Sequence, residues 1–124
     1  MTRINCGIPV TELCDKHLMA EHREIKRIPN CIKKGRYNMK NQPKLFTLGT
    51  GHVKFFYDKL GYLKERYIKI YNECLYRHIN VTDFTNTWEG IDPALMGDYS
   101  PTDRDRLIVR KRIDERLTKM KNKK

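Results

Sequence analysis

Apolar residues recur with a helical period over residues 10–28. At about 100° per residue, one face of the predicted helix consists of Val10, Leu13, Cys14, Ile25 and Ile28. Proline disfavours helical geometry in the residue before it, so we expect this helix to end or kink near Pro29 and Asn30. The pattern therefore predicts a long amphipathic helix as the first element.

The apolar face of this helix also carries three ionisable residues, His17, Glu21 and Glu24. A separate basic stripe beside that face consists of Lys16, Arg23 and Arg27. Glu24 therefore lies at the boundary between an apolar face and a row of cations. Ionisable groups are uncommon on a helix face that only packs against a core. We interpret these residues as candidates for a function.

A second helical pattern extends from about residue 51 to residue 78. Its apolar positions are Val53, Phe56, Tyr57, Leu60, Leu63, Tyr67, Ile70, Tyr71, Cys74 and Leu75. Gly61 interrupts the pattern at a cost of about 1 kcal/mol relative to alanine. We expect His52 to make a hydrogen bond at the start of this helix rather than a phosphate contact. The helix is predicted to be core scaffold.

A third helix is predicted near the end of the chain, with Ser100 as N-cap, Pro101 as the first helical residue and Asp103 in the first turn. Its apolar stripe consists of Val109, Ile113, Leu117 and Met120. A basic row beside that stripe consists of Arg112, Arg116 and Lys119. A run of charges is usually a solvated face, but an ordered row of cations next to a packing stripe fits a phosphate-binding edge.

Two loops separate the three predicted helices. Residues 35–44 form a basic loop that is either solvated or in contact with phosphate. Residues 80–103 contain five acidic residues and neither lysine nor arginine, so we expect this segment to face away from any nucleic acid. We expect Trp88 to pack against the helices rather than stack on a base.

Composition and charge narrow the class of protein. The 124 residues are 39% hydrophobic and 33% charged, which is typical of one globular domain over residues 1–124. The formal net charge is +11, which points to nucleic acid or another anionic surface as the partner. Neither a signal sequence nor an apolar run of about 18 residues is found, so we expect an intracellular protein without a membrane span.

The cysteines and histidines do not predict a metal site. Four cysteines are irregularly spaced, namely Cys6, Cys14, Cys31 and Cys74, and we expect reduced thiols. A zinc site drawn from two cysteines and two histidines would match none of the usual ligand spacings. We therefore predict neither a metal ion nor another cofactor.

The start of the chain offers a nucleophile. Thr2 follows the initiator methionine and is small, so an aminopeptidase that removes Met1 would leave a free threonine amine. An α-amino group has a pKa of about 7.7–8.0, against about 10.4 for lysine, so its neutral fraction at pH 7 is larger by roughly two orders of magnitude. Such an amine beside a carboxylate can attack an electrophilic carbon and form a Schiff base.

Several segments together resemble the bacteriophage pyrimidine-dimer DNA glycosylase/AP lyase family, the phage endonuclease V. The first two segments are TRIN at residues 2–5 and D-x-HLMAEHRE at residues 15–24. The others are LGTGHV at 48–53, FFYDKL at 55–60, ECL at 73–75, GDY at 97–99 and RIDE at 112–115. The similarity follows one order from Met1 to about Leu117. That combination is far more specific than any one segment.

The resemblance implies an all-α fold, in which one compact domain of about three main helices surrounds the N-terminal arm. It implies that the Thr2 amine attacks the sugar of a UV-induced cyclobutane pyrimidine dimer, and that β-elimination then nicks the strand. Glu24 corresponds to the family's catalytic glutamate. The DNA-binding residues implied are Arg3, His17, Arg23, Arg27, Arg112 and Arg116. The expected partner is damaged double-stranded DNA, bound by a monomer in the cytoplasm of an infected host.

The chain departs from the family pattern in two ways. One residue is inserted around residues 7–9, which shifts the numbering without changing the motifs. The family's aromatic tail has no counterpart in residues 118–124. The resemblance therefore supports the lyase chemistry more strongly than it supports specificity for pyrimidine dimers. The alternatives are a lyase or glycosylase for other lesions, and a DNA-binding module without catalysis. Retention of both Thr2 and Glu24 argues against the non-catalytic module.

Overall fold

The structure is a computed structural model that describes residues 2–122, with side chains to residue 120. The expected removal of Met1 and the last two lysines of the aromatic-free tail lie outside the described residues. The described part of the chain forms five α-helices: α1 Asp15–Ile25, α2 Arg27–Lys33, α3 His52–Phe55, α4 Leu60–Tyr76 and α5 Asp103–Asn122. Over residues 2–122 the fold contains no β-strand, and α1, α4 and α5 are the longer helices. The predicted all-α fold with three main helices is confirmed.

The prediction of one continuous helix over residues 10–28 is wrong. A short 3-10 turn, Val10–Glu12, precedes α1, and the chain breaks again at Lys26 before α2. In one continuous helix Pro29 would clash with the carbonyl of Ile25, so the break comes before the proline rather than at it. Pro29 is the third residue of α2, where a backbone N–H needs no partner inside the helix.

The buried and exposed sides of α1 largely follow the sequence pattern. Glu21 and Ile25 are buried, and Leu18 and His22, which the pattern did not identify, are buried beside them. The predicted basic stripe of Lys16, Arg23 and Arg27 is exposed. The helix therefore packs its apolar side inward and keeps most of its cations in solvent.

The predicted helix over residues 51–78 is two helices, because α3 ends at Phe55 and a turn precedes α4. This turn pairs with the loop before α5: Gly97 donates to the Asp58 carbonyl at 3.1 Å, and Tyr62 donates to the Gly97 carbonyl at 3.1 Å. Gly61 permits that approach, since a Cβ there would lie 2.6 Å from the Met96 carbonyl oxygen. The predicted apolar face of α4 is otherwise largely buried, except for Leu75, which is 48% exposed.

The N-terminal arm, residues 2–9, passes through the interior. Ile4, Cys6 and Ile8 are almost completely buried in the same core as the apolar side of α4. Each apolar side chain buried in this way contributes on the order of 1.5–3 kcal/mol to stability. The arm is thus part of the core, as the family resemblance implied.

Helix α5 begins later than expected. Thr102, not Ser100, is the N-cap: its hydroxyl accepts from the Asp105 N–H at 3.1 Å, and the Asp105 carboxylate accepts from the Thr102 N–H at 3.0 Å. This reciprocal pair is a capping box that satisfies two N–H groups at the helix start. Val109 is fully buried, whereas Met120, at the end of the predicted stripe, is 37% exposed.

The two long loops contain little regular secondary structure. Residues 80–102 contain two 3-10 turns, Thr85–Trp88 and Pro93–Leu95. Trp88 is 3% exposed and its ring centroid lies 5.1 Å from that of Tyr67, so the expected packing role is confirmed. Most residues of the basic loop at 35–44 are exposed. Among the described helices, none is long and apolar enough to cross a membrane.

Candidate active site

Three successive residues of the arm are each fixed by a hydrogen bond to a helix side chain. The Arg3 N–H donates to Glu24 Oε1 at 2.9 Å, and the Ile4 N–H donates to His52 Nε2 at 2.9 Å. The Asn5 side-chain amide donates to Glu21 Oε1 at 2.8 Å. Because these contacts come from both α1 and α3, they fix the direction as well as the depth of the arm.

Glu24 lies next to the beginning of this arm. Its side chain is 13% exposed, and its Oε2 is 3.7 Å from Arg23 Nη2. Neighbouring backbone nitrogens lie within about 4 Å of each other, so the Thr2 nitrogen is within about 7 Å of Glu24 Oε1. A carboxylate at that range from an amine can exchange protons with it through one or two bridging water molecules.

A buried ion pair joins α1 to α4. Arg66 of α4 donates to both carboxylate oxygens of Glu21, by a short contact from Nε and at 3.0 Å from Nη2. Arg66 Nη1 also donates to the Ile8 carbonyl at 2.9 Å. Asn5 continues the network, since its oxygen accepts from Arg112 Nη2 at 3.1 Å. The arm, α1, α4 and α5 are therefore joined by one connected set of hydrogen bonds.

A pocket opens where the arm, α1 and α5 meet. Its lining residues are Arg3, Asn5, His17, Ala20, Glu21, Glu24, Arg112, Ile113 and Arg116. An adjoining groove shares four of these and adds Lys16, Lys119 and Met120. The pocket combines one accessible carboxylate, Glu24, with several cations. Arginine side chains of this kind bind phosphate oxygens through charge-assisted hydrogen bonds.

Five of the eight residues predicted for the site line the pocket, namely Arg3, His17, Glu24, Arg112 and Arg116. Arg23 lies at its edge through its contact with Glu24. Thr2 is half-buried and immediately precedes Arg3. Arg27 is exposed at the start of α2 and does not line the pocket, so the structure does not bring it together with the other residues.

The concentration of cations is visible in two pKa values. Burial, followed by the charges of Arg116 and Lys16, lowers the pKa of His17 below its ordinary value, so His17 is neutral at pH 7. Burial, followed by Arg3 and Arg116, lowers the pKa of Arg112 to about 10. The pocket therefore disfavours additional positive charge and favours a bound anion.

Four other residues contribute to the site and were only partly predictable from the sequence, namely Asn5, Glu21, His52 and Arg66. Glu21 and Arg66 are charged residues within apolar faces, which is a signal for a buried pair, although their pairing was not predicted. The histidine was expected to make a hydrogen bond near the start of its helix, but not to hold the arm. Asn5 carried no signal beyond its place in the TRIN segment.

Metal ligation has no support among the described residues. They contain no group of three or more histidine, cysteine, aspartate or glutamate side chains arranged to hold a metal ion. The four cysteines are free thiols, and Cys6 and Cys74 are buried. Burial raises the pKa of Cys6 to about 11, so this thiol is protonated and unreactive at neutral pH.

Comparison with known protein families assigns most of this chain. A sequence model described as pyrimidine dimer DNA glycosylase matches residues 1–87. The matched segment contains the arm, the helices α1 to α4, and Glu24. Helix α5 follows that segment and supplies Arg112 and Arg116 to the same pocket.

Proposed function

This chain belongs to the pyrimidine dimer DNA glycosylase family, and from that premise we propose that it excises cyclobutane pyrimidine dimers and then nicks the DNA through the amine of Thr2. Its substrate is DNA, as the family assignment implies. The finer features of the proposal are the nucleophile, the lyase step and the role of each site residue. The hydrogen bond from the Arg3 N–H to Glu24 Oε1 at 2.9 Å supports them most directly.

The proposed chemistry begins with the free amine of Thr2, after removal of Met1. Its lone pair attacks the anomeric carbon, the glycosidic bond breaks with its electrons going to the departing base, and the amine loses a proton. Opening of the sugar ring gives an imine. Loss of a C2′ proton then expels the 3′ phosphate, so the strand breaks by β-elimination without any oxidant or external reductant.

Glu24 serves two purposes in this scheme. As a carboxylate it stabilises the positive charge that develops on the sugar when the base departs. It also receives and returns the protons that the amine and C2′ release. The Arg3 hydrogen bond occupies one side of Oε1, whereas Oε2 is near Arg23 and remains available for these transfers.

The amine benefits from the same cations that would bind DNA. Burial is the largest cause that lowers the pKa of His17 and Arg112, and the cations beside the pocket lower both further. A protonated amine nearby experiences the same repulsion, so its neutral, nucleophilic form is favoured. Glu24 opposes this effect, but the arginines that line the pocket outnumber its carboxylates.

The proposed DNA contacts follow the distribution of the arginines. Arg3, Arg112 and Arg116 bind phosphates at the pocket, and Arg23 and Arg27 extend the contact along the exposed side of α1 and α2. His17 is neutral and donates or accepts a hydrogen bond at the pocket wall. Because one chain supplies every residue of this site, the proposal needs only a monomer.

The experiment uses three defined duplexes, carrying one cyclobutane dimer, one abasic site or neither. We expect strand cleavage of the first two and none of the third. Glu24→Gln keeps the size of the side chain and removes its charge, so this variant should bind both damaged duplexes and lose most of its turnover. Cleavage of the abasic duplex alone would rule out the dimer-glycosylase activity, and cleavage of neither would rule out the enzyme.

A further inference from the structure

His52 lies under the N-terminal arm and is 3% exposed. Its ring meets Phe46 and Phe56 edge to face, with centroid distances of 5.4 and 5.6 Å. Nε2 accepts from the Ile4 N–H at 2.9 Å, and Nδ1 is 2.9 Å from the Thr47 carbonyl oxygen. A backbone N–H can only donate and a carbonyl can only accept, so the proton is on Nδ1. Both ring nitrogens are therefore committed, and the ring is neutral.

We propose that His52 is a positioning residue for the Thr2 amine: it holds Ile4 at the depth that keeps the start of the arm against Glu24. The inference rests on the proposed function, because only a reacting amine gives this placement a catalytic consequence. Ile4 is two residues from Thr2, and the residue between them makes the Glu24 contact. A loss of the Ile4 bond is thus transmitted directly to the amine.

Packing alone does not account for an imidazole at this place. Edge-to-face contact with Phe46 and Phe56 needs only an aromatic ring, and a buried ring nitrogen is unfavourable unless it is hydrogen-bonded. Here one nitrogen holds the arm and the other holds the loop between α2 and α3, through Thr47. The polar atoms of His52 therefore join two segments that have no regular secondary structure of their own at these contacts.

The surroundings of the ring act on its pKa in both directions. Burial is the largest cause that lowers the pKa of His52 below its ordinary value. The charges of Arg112 from α5 and Arg3 from the arm lower it further. The hydrogen bond to Thr47 and the charge of Glu21 from α1 raise it. Protonation of Nε2 would turn the acceptor into a donor facing the Ile4 N–H, and the anchor would be lost.

The test compares two substitutions of His52 with a matched control. His52→Gln supplies an oxygen that can accept from Ile4, whereas His52→Phe fills the space without an acceptor. The control is His22→Phe, which removes a second buried histidine that is 4% exposed. The Nε2 of His22 lies 3.0 Å from the Tyr67 hydroxyl, so this ring does not hold the arm. Each folded variant is assayed for the single-turnover rate of borohydride trapping at saturating abasic DNA, and for amide exchange of Ile4.

A misplaced nucleophile should react more slowly without binding DNA more weakly. We expect His52→Phe to lose about tenfold or more in trapping rate at unchanged DNA affinity, and to lose protection of the Ile4 amide. His52→Gln and His22→Phe should stay within about threefold of the unsubstituted protein. The rescue by glutamine separates positioning from a general loss of stability.

Two results would overturn the inference on its own. One is a His52→Phe protein that traps DNA as fast as His22→Phe does, and the other is an Ile4 amide that stays protected in His52→Phe. A different result, in which the unsubstituted protein forms no adduct at Thr2, would overturn the proposed function and remove the basis for a positioning role. The unsubstituted protein is measured first, so the two failures are distinct.

Discussion

The side-chain oxygen of Asn5 accepts a hydrogen bond from Arg112 Nη2 at 3.1 Å, although the two residues are 107 positions apart. The amide group of the same side chain donates to Glu21 at 2.8 Å. One asparagine thus connects a cation of the pocket to a buried carboxylate. The connection also attaches α5 to the N-terminal arm, which explains how a helix beyond the matched family segment contributes to the pocket.

Asn5→Leu should weaken both the fold and the DNA contact. Leucine has a similar branched shape but leaves the Glu21 and Arg112 groups without this partner, so we expect the free energy of unfolding to fall by about 1–3 kcal/mol. DNA affinity should also fall, because Arg112 is no longer held in the pocket. Urea denaturation and a DNA titration measure the two effects. The control is Asn72→Leu, at an exposed position of α4, and equal behaviour of the two variants would contradict the prediction.

Arg66→Met should destabilise the protein strongly. Arg66 is 7% exposed and Glu21 is 1% exposed, so removal of the guanidinium leaves a buried carboxylate without its cation. Breaking such a pair from one side costs about 3–5 kcal/mol, whereas replacing both partners by apolar residues is often neutral. We therefore expect Glu21→Leu combined with Arg66→Met to recover much of the stability measured by urea denaturation.

The exposed pair between Arg106 and Asp103 provides the control for that experiment. Exposed pairs contribute little, because solvent screens them and two flexible side chains must be ordered. Arg106→Met should therefore leave the unfolding midpoint nearly unchanged. If Arg66→Met lowers the free energy of unfolding no more than Arg106→Met does, the buried pair does not stabilise this fold.

Stability should decrease as the pH falls below about 6.5. Burial is the largest cause that lowers the pKa of His17, His22 and His52 below the ordinary value of 6.5. Between that value and each folded pKa, the unfolded chain binds more protons than the folded chain, so acidification favours unfolding. Urea denaturation at a series of pH values measures the slope. His52→Gln should reduce it, and a stability that rises from pH 7 to pH 5.5 would contradict the account.

DNA affinity should depend steeply on salt, with α5 contributing to that dependence. Each phosphate contact adds about 0.9 to the slope of log affinity against log salt concentration. Arg116→Ala removes a cation of the pocket and with it one phosphate contact, so we expect the magnitude of the slope to decrease by about 0.9. Lys111→Ala, on another side of the same helix, should leave the slope unchanged. A flat salt dependence for the unsubstituted protein would exclude phosphate binding at this surface.

Periodicity predicted the faces of the helices better than it predicted their ends. The face of α4 that contains Leu63 and Tyr67 is buried because apolar residues at helical spacing must pack together. The break before α4 depends on the loop at Met96 and Gly97, which approaches Gly61 too closely for any side chain. Such a contact joins distant segments, and local sequence patterns do not contain it.

At the candidate site, too, local sequence patterns predicted some residues and missed those that depend on distant contacts. Glu24 could be identified from its position between an apolar face and a basic stripe, and it does line the pocket. The His52 anchor for Ile4 and the Arg66 partner of Glu21 lie 48 and 45 residues from the groups they bind. Their roles depend on how the arm passes through the core, which only the folded chain determines.

The most direct test of the account is the identity of the atom that becomes attached to DNA. Borohydride reduces the proposed imine, so protein incubated with a damaged duplex should form a covalent adduct, which is digested and mapped by mass spectrometry. We predict attachment at the Thr2 α-amine in protein that lacks Met1, and neither adduct nor cleavage when Met1 is retained or the amine is acetylated. An adduct that maps instead to a lysine such as Lys16 or Lys26 would contradict the account.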